Sequence, residues 1–469
     1  MLQFSLIIYI NVLLSKNLRI FCIFYDNIVD LSQFRCMIIV LNDKERGDYM
    51  LIQFSVENYR SFKDKATLSL VPSKDASHPG NLTILNKSEQ VLNTVAIYGA
   101  NAAGKSNLFK ALTTAIMMVR TSSQLQKNDR LSGIVPFLFD KKMAAKPTSF
   151  EFVFITDGIK YIYGFSATQT EVVSEYLYAY YSAKPSTIFE REGNEFNFTK
   201  DKRALDQIAD KNTPNKLFLS TATVWNYSRT EPAYSWFDKG INTYPEYEHL
   251  HPIAFDLFEN DADEKIHQFV IDLLRESDIN IQDYLIKSEP INEQDLMQIF
   301  GPLYQAAKDA KMHEGKKQNV FMDHLVTNDD GSTSVVHVSL ADESRGTENL
   351  FFLAPILMKA LSTGETVVID EIERSLHPLL VKHIIGYFND PDLNPSNAQL
   401  IFNTHNLELM SLDIFRRDQI YFVDKSGKTG ASELYSLDEF SVRAEENIKK
   451  GYLLGRFGAI PSILEGYAK

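Results

Sequence analysis

From Leu51 to Val56, Leu, Gln and Ser alternate with Ile, Phe and Val, the period-two pattern of a half-buried strand, and Ala66 to Val71 forms a second strand. Val95 to Tyr98 is instead apolar or β-branched throughout, as a strand buried on both faces is. Leu108, Ala111, Leu112 and Ala115 then take up helical spacing. From Ser149 to Phe198 period two returns. Phe150, Phe152 and Phe154 precede an Asp157-Gly158 turn; Tyr161, Tyr163 and Phe165 follow, then Tyr176, Tyr178 and Tyr180, and Phe196 and Phe198 after Gly193-Asn194. This predicts an antiparallel β-subdomain near 130–200 whose aromatic stripe packs against a core. Ala204 to Gln318 reads as helical, with Ile266, Phe269, Val270, Leu273 and Leu274 on one face. Past Val335 come an apolar helix (Phe351 to Leu361), a buried strand (Thr366 to Ile369), a helix over Leu380, Val381, Ile384, Ile385 and Phe388 with Pro378 in its first turn, and a short strand from Leu400.

Composition narrows the class. Of 469 residues, 44% are apolar and 23% charged, enough for one large or two ordinary globular domains. A formal charge of −13 argues against non-specific coating of nucleic acid and leaves room only for a local basic groove. The two cysteines, Cys22 and Cys36, both precede Met50, so the main body has no disulfide framework or cysteine-rich zinc site, and a reducing cytoplasm fits. Residues 1–49 differ from the rest. Phe4 to Leu14 is an apolar run too short to span a membrane, where roughly 20 residues are needed, and it has no basic start or cleavage site. Purine-rich codons for Lys44-Glu45-Arg46-Gly47 would resemble a ribosome-binding site, so Met50 is expected to be the true start and 1–49 a mis-assigned extension.

Between the buried strand and its helix lies Gly99-Ala100-Asn101-Ala102-Ala103-Gly104-Lys105-Ser106, a full match to G-x-x-x-x-G-K-S/T in the strand–loop–helix context that pattern requires. Gly99, Asn101 and Gly104 shape a loop whose backbone N–H groups face an anion at a helix N-terminus. Lys105 would reach the β- and γ-phosphates of ATP and Ser106 would hold Mg²⁺. The strand Thr366 to Ile369 ends in Asp370-Glu371, at the mouth where α/β ligands bind. Asp370 would hold Mg²⁺ through water, and Glu371 would take the proton of an attacking water. The strand from Leu400 ends at His405, placed for a γ-phosphate contact. Ser344-Arg345-Gly346 opens an apolar helix and is a second candidate anion site. Asp261 and Asp263 read as an acidic helix start, and Lys308, Lys311, Lys316 and Lys317 near Gly315 as a solvated helix end or a DNA-facing tip. Arg60 is left between surface and phosphate, and Arg416-Arg417 between structure and contact with DNA or partner.

The order of phosphate loop, Ser344 and Gly346, Asp370-Glu371 and His405 resembles the ABC-type ATPases of the SMC, RecF and double-strand-break-repair group. That resemblance implies composite ATP sites, with Ser344 and Gly346 acting in trans across a homodimer or higher oligomer. The Ser344–Thr347 signature lacks a transporter's second glycine, which leaves a transporter subunit as the weakest reading. A closer similarity covers most of the chain from Met50. Ser55 to Phe62, Pro147 to Phe154, Tyr161 to Phe165, Glu343 to Phe351, Val367 to Pro378, Phe402 to His405, Arg416 to Val423 and Gly451 to Pro461 resemble the AAA-type ATPases of bacterial defence of the RloA and AbiL abortive-infection type. This implies a small, nuclease-like effector encoded nearby; the alternative is a RecF-like DNA-repair clamp that binds DNA itself.

The expected fold is therefore α/β: a P-loop NTPase with an ABC-type ATPase head, an antiparallel β-subdomain and a helical insertion. Residues 50–203 form the N-terminal ATPase lobe, 204–335 the helical insertion acting as lid or dimer arm, and 336–469 the C-terminal lobe. The protein is expected to be cytoplasmic and not bound to a membrane.

Overall fold

The computed structural model describes residues 49–85, 89–262, 264–277, 280–309, 316–443 and 445–460, together with the backbone of three strand segments, Ile8–Ser15, Leu18–Phe24 and Met37–Ile39, which pair antiparallel. Asp263, Lys311, Gly315 and Pro461, and most of the expected N-terminal extension, lie outside the described residues. The chain divides into two compact units, with boundaries at Pro245/Glu246 and Lys359/Ala360.

Up to Pro245 the elements include β1 (Met50–Glu57), β2 (Ala66–Ser69), β3 (Thr94–Tyr98), α1 (Lys105–Thr121), β4 (Thr148–Thr156), β5 (Ile159–Ala167), β6 (Val172–Tyr180), β7 (Ser186–Glu192), β8 (Glu195–Asn197), α2 (Phe218–Val224) and β9 (Ile241–Tyr244). Glu246–Lys359 contributes α3 (Leu250–Glu259), α4 (Lys265–Glu276), β10 (Asp283–Pro290), β11 (Lys316–Thr327), β12 (Thr333–Ser339) and the start of α5 (Arg345–Thr363). After Ala360 come β13 (Thr366–Ile369), α6 (Pro378–Asn389), β14 (Gln399–Asn403), β15 (Ile420–Lys425) and β16 (Ser432–Ser436).

The larger unit holds two large sheets and a two-stranded ribbon of Leu82–Ile84 with Gln90–Leu92. One runs β9-β13-β14-β3-β15-β16, its first five strands parallel and β16 antiparallel to β15. Every residue of β3, β13 and β14 is buried, which is why the middle of each strand reads as an apolar run. Because β3, β13 and β14 are parallel, Gly99, Asp370 and the 404–406 turn all leave at one edge of the sheet.

The second sheet is antiparallel, in the order β8-β7-β6-β5-β4-β1-β2. Period two explains its two faces. Phe150, Phe152, Phe154, Tyr161, Tyr163 and Phe165 point inward and are buried, with Phe154 stacked on Trp236 at 4.3 Å and Phe152 set edge-on to Phe237 at 5.0 Å. Truncating one of these rings to alanine costs about 3–5 kcal/mol. Tyr176 and Tyr178 lie on the other face and donate to Glu151 and Glu190. The Tyr176 ring lies across Gly164, where a Cβ would sit 2.4 Å from it. Inside, the Glu175 carboxylate accepts from the Phe218 and Leu219 amides at 2.6 and 2.9 Å, so a buried acid caps α2. Burial pushes that carboxyl up in pKa, opposed by Arg191 at 3.4 Å.

The insertion differs from expectation in extent and kind. Ile241–Tyr244, drawn within it, is a strand of the parallel sheet, and the separate unit runs from Glu246 to Lys359. That unit holds a three-stranded antiparallel sheet, β10-β11-β12, beside its helices. These strands leave little mark in the sequence because they carry little buried apolar side chain: Leu285, Leu325, Val326, Val335 and Val336 are exposed, so no clean alternation marks them. α3 and α5 meet through His251, stacked on Phe352 at 3.8 Å, and Phe258, stacked on Phe351 at 5.0 Å. Among the described residues no helix is long and apolar enough to cross a membrane.

Candidate functional site

The site begins where β3 gives way to α1. Leu108, Phe109, Leu112, Ile116 and Val119 bury one side of α1, which holds its first turn against the sheet edge. The open N–H groups of that turn and the helix dipole make a partial positive charge there. The loop is fitted closely. A Cβ on Gly99 would stand 2.3 Å from the Val423 carbonyl oxygen, and one on Gly104 (φ +122°) 2.5 Å from Ser432 Oγ and 2.8 Å from Ser61 Oγ. Ala102 takes a left-handed φ of +62°, and Asn101 is exposed beside it. Lys105 curls back, donating to the carbonyls of Gly99 at 2.8 Å and Ala100 at 3.3 Å. Burial pulls its pKa down to about 8, against the nearby charges of Asp370, Glu371 and Glu373. Anionic oxygens entering the loop would reverse that pull.

The acids meet this loop from β13. Ser106 Oγ donates to Asp370 Oδ1 at 3.3 Å, and the Asn403 side-chain amide donates to the same oxygen. Burial raises the pKa of the Asp370 carboxyl, opposed by those two hydrogen bonds and Lys105. A hydroxyl and a carboxylate side by side, with burial disfavouring the bare charge, are the oxygen donors a hard divalent cation takes. Glu371 sits at φ +53° with a half-exposed side chain, and its Oε1 lies 4.0 Å from His405 Nε2. Burial, then Lys105, lowers the pKa of the His405 imidazole. The His405 amide donates to Glu373 Oε1 at 2.5 Å.

Gly99, Asn101, Gly104, Lys105, Ser106, Asp370, Glu371 and His405 thus belong to one unit and gather at one sheet edge. Ser344 and Gly346 fall in the other unit. There Ser344 Oγ accepts the Thr347 amide at 3.1 Å and so caps α5, while the preceding Glu343 pairs with His324 at 2.8 Å. Asn403, Glu373, Ser61 and Ser432 were not singled out beforehand. For Asn403 a signal existed, a polar residue closing the apolar stretch Leu400–Phe402. For Ser61 and Ser432 none existed, since their contact with Gly104 is made only by folding.

Of the other basic residues read from the sequence, Arg416, Arg417, Lys317, Lys308 and Arg60 are engaged within the protein. Arg416 is buried, donating to Asp418 at 2.8 Å and to the Ser77 carbonyl at 2.7 Å. Arg417 pairs with Asp75 at 2.9 Å, Lys317 with Asp295 at 3.0 Å and Lys308 with Glu293 at 2.5 Å. Arg60 rests on the Tyr59 ring. The Asp261 carboxylate accepts the His267 amide at 2.8 Å, in the first turn of α4. In the Gly451 to Pro461 segment, Tyr452 and Phe457 stack on Phe422 at 5.6 and 5.8 Å, a packing role.

A protein-family model described as "AAA domain, putative AbiEii toxin, Type IV TA system" matches residues 95–411, from β3 through His405. Among solved structures, the SMC head domain from Thermotoga maritima aligns with 82% of this chain and 98% of its own at 13% identity and a TM-score of 0.36. The Smc head with an extended coiled coil from Pyrococcus furiosus, bound to the C-terminal domain of ScpA, aligns with 87% and 99% at 12% identity and a TM-score of 0.40. The Smc head with a coiled coil and joint from Pyrococcus yayanosii gives 87% and 99%, 11% and 0.41. No curated protein matches.

Proposed function

Because this chain belongs to the AAA domain family described as a putative AbiEii toxin of a type IV toxin–antitoxin system, we propose that it binds and hydrolyses ATP with Mg²⁺ and works as a nucleotide-driven switch. The observation that carries this reading is the meeting of the 99–106 loop with Asp370, Glu371 and His405 at one sheet edge, with Ser106 3.3 Å from Asp370 and Glu371 4.0 Å from His405. Lys105 and the amides of the α1 N-terminus bind the phosphates. Ser106 and Asp370 hold the Mg²⁺, which when bound polarises phosphate oxygens. Glu371 accepts the proton of the attacking water, and His405 contacts the γ-phosphate. Ser344 and Gly346 complete the site of a second copy in an ATP-clamped homodimer or higher oligomer. The closed and open states control a small, separately encoded effector in antiphage defence, of the RloA and AbiL abortive-infection type.

The test is Glu371→Gln. It should keep ATP binding and lower steady-state phosphate release by about 10²–10⁴. A variant that turns over ATP at the parent rate removes Glu371 as the base. The effector part is tested apart from this. The same variant, purified with its native gene neighbourhood with and without ATP, should gain or lose one stoichiometric small protein; a dimer carrying only DNA would point to a repair clamp.

A further inference from the structure

Between the acid pair and the histidine turn runs a set of bonds that no strand pairing accounts for. Asn403 is the last residue of β14 and is fully buried. Its Nδ2 donates to Asp370 Oδ1, its Oδ1 accepts the Glu371 amide at 2.8 Å, and its carbonyl accepts the Ile372 amide at 3.3 Å. In return Glu373 Oε1 accepts the His405 amide at 2.5 Å. Next in the chain, the Thr404 amide donates to the Ile97 carbonyl at 3.1 Å, which fastens the turn to β3, the strand that leads into the phosphate loop. Residues 370–373 and 403–405 are thereby laced together, and Glu371 is held at φ +53°, a conformation an L-residue keeps only when something holds it.

We propose that Asn403 is the positioning residue of this site: one buried side-chain amide fixes Asp370 through its N–H and the Glu371 backbone through its oxygen. A neutral amide does both, with an N–H at one end and an oxygen at the other. A carboxylate of the same shape offers acceptors alone, and an aliphatic side chain offers neither. The orientation is forced as well, because turning the amide over would set N–H against N–H at Glu371 and oxygen against oxygen at Asp370. The cation ligand and the base are therefore oriented by a residue that is itself fully buried. The inference rests on the ATPase reading for its consequence, but not for its geometry.

The experiment compares the full-length parent with Asn403→Leu and Asn403→Asp by three readouts. Hydrogen exchange of the peptide carrying Glu371, without nucleotide, tests the clamp directly. It should quicken about tenfold in Asn403→Leu and stay near the parent in Asn403→Asp, which keeps the acceptor. Steady-state phosphate release should fall about 10–100-fold in both variants. Binding of a fluorescent ATP analogue, measured without Mg²⁺, should stay within about threefold of the parent, since the phosphate loop is untouched. Parental turnover in a folded Asn403→Leu protein overturns the proposal. So does a loss of nucleotide binding as large as the loss of turnover. If Asn403→Leu does not fold, the near-isosteric Asn403→Asp decides: parental turnover in it refutes the role. A parent without ATPase activity would refute the ATPase reading, and hydrogen exchange would then decide the clamp alone.

Discussion

Lys105 sits where burial and charge oppose each other. It is almost fully buried, its ammonium rests on two carbonyls of its own loop, and burial lowers its pKa to about 8 despite three nearby carboxylates. A phosphate would supply what is missing, a compact anion at the helix N-terminus. The loop reaches this geometry because Gly99 packs against the Val423 carbonyl with no room for a Cβ. Gly99→Ala should therefore cost about 1–3 kcal/mol, seen as a lower melting temperature, and weaken nucleotide binding; parental values for both would show that the close approach is not needed. At this scale the sequence makes legible what is local in the chain. Lys105, Ser106, Asp370 and Glu371 stand out because phosphate loops and acid-tipped strands have short, fixed spacing. Asn403 reaches Asp370 across 33 positions, and Ser432 reaches the Ala103 carbonyl across 329. No pattern along the chain announces which distant partner such a residue meets.

The elements follow the same division. β3, β4 and β13 are legible because burial on one or both faces writes a period into the sequence. β10, β11 and β12 are not, since much of their side-chain surface is exposed and hydrogen bonding alone leaves no signature. In the same unit, His251 on α3 lies buried against Phe352 of α5. Burial, then the charge of Arg345, keeps its imidazole neutral, with its pKa lowered to about 3. The sign follows from linkage. The unfolded chain takes up a proton near pH 6.5 and the folded chain does not, so this residue's contribution to stability falls as pH drops from about 6.5 towards 3. His251→Phe, which keeps a ring on Phe352, should flatten the pH dependence of thermal unfolding between about pH 6.5 and 4. An unchanged slope would assign the acid sensitivity elsewhere.

For the molecule as a whole, parallel strand order brings the phosphate loop, the acid pair and the histidine to one edge, although they are spread from Gly99 to His405. The α/β class and the order of these motifs are visible along the chain. The extent of the inserted unit is not, because Ile241–Tyr244 joins the central sheet only through pairing with β13. Ser344 and Gly346, carried by the other unit, receive their function in the account above from a second copy of the chain. The measurement that tests this most directly is the mass of the Glu371→Gln protein by light scattering, with and without ATP and Mg²⁺, with bound nucleotide quantified in the same sample. The account predicts the single-chain mass, 53.5 kDa for all 469 residues, without nucleotide and at least twice that mass with it, reduced again by Ser344→Arg although ATP stays bound. Protein that holds ATP stoichiometrically yet keeps the single-chain mass would contradict the composite site.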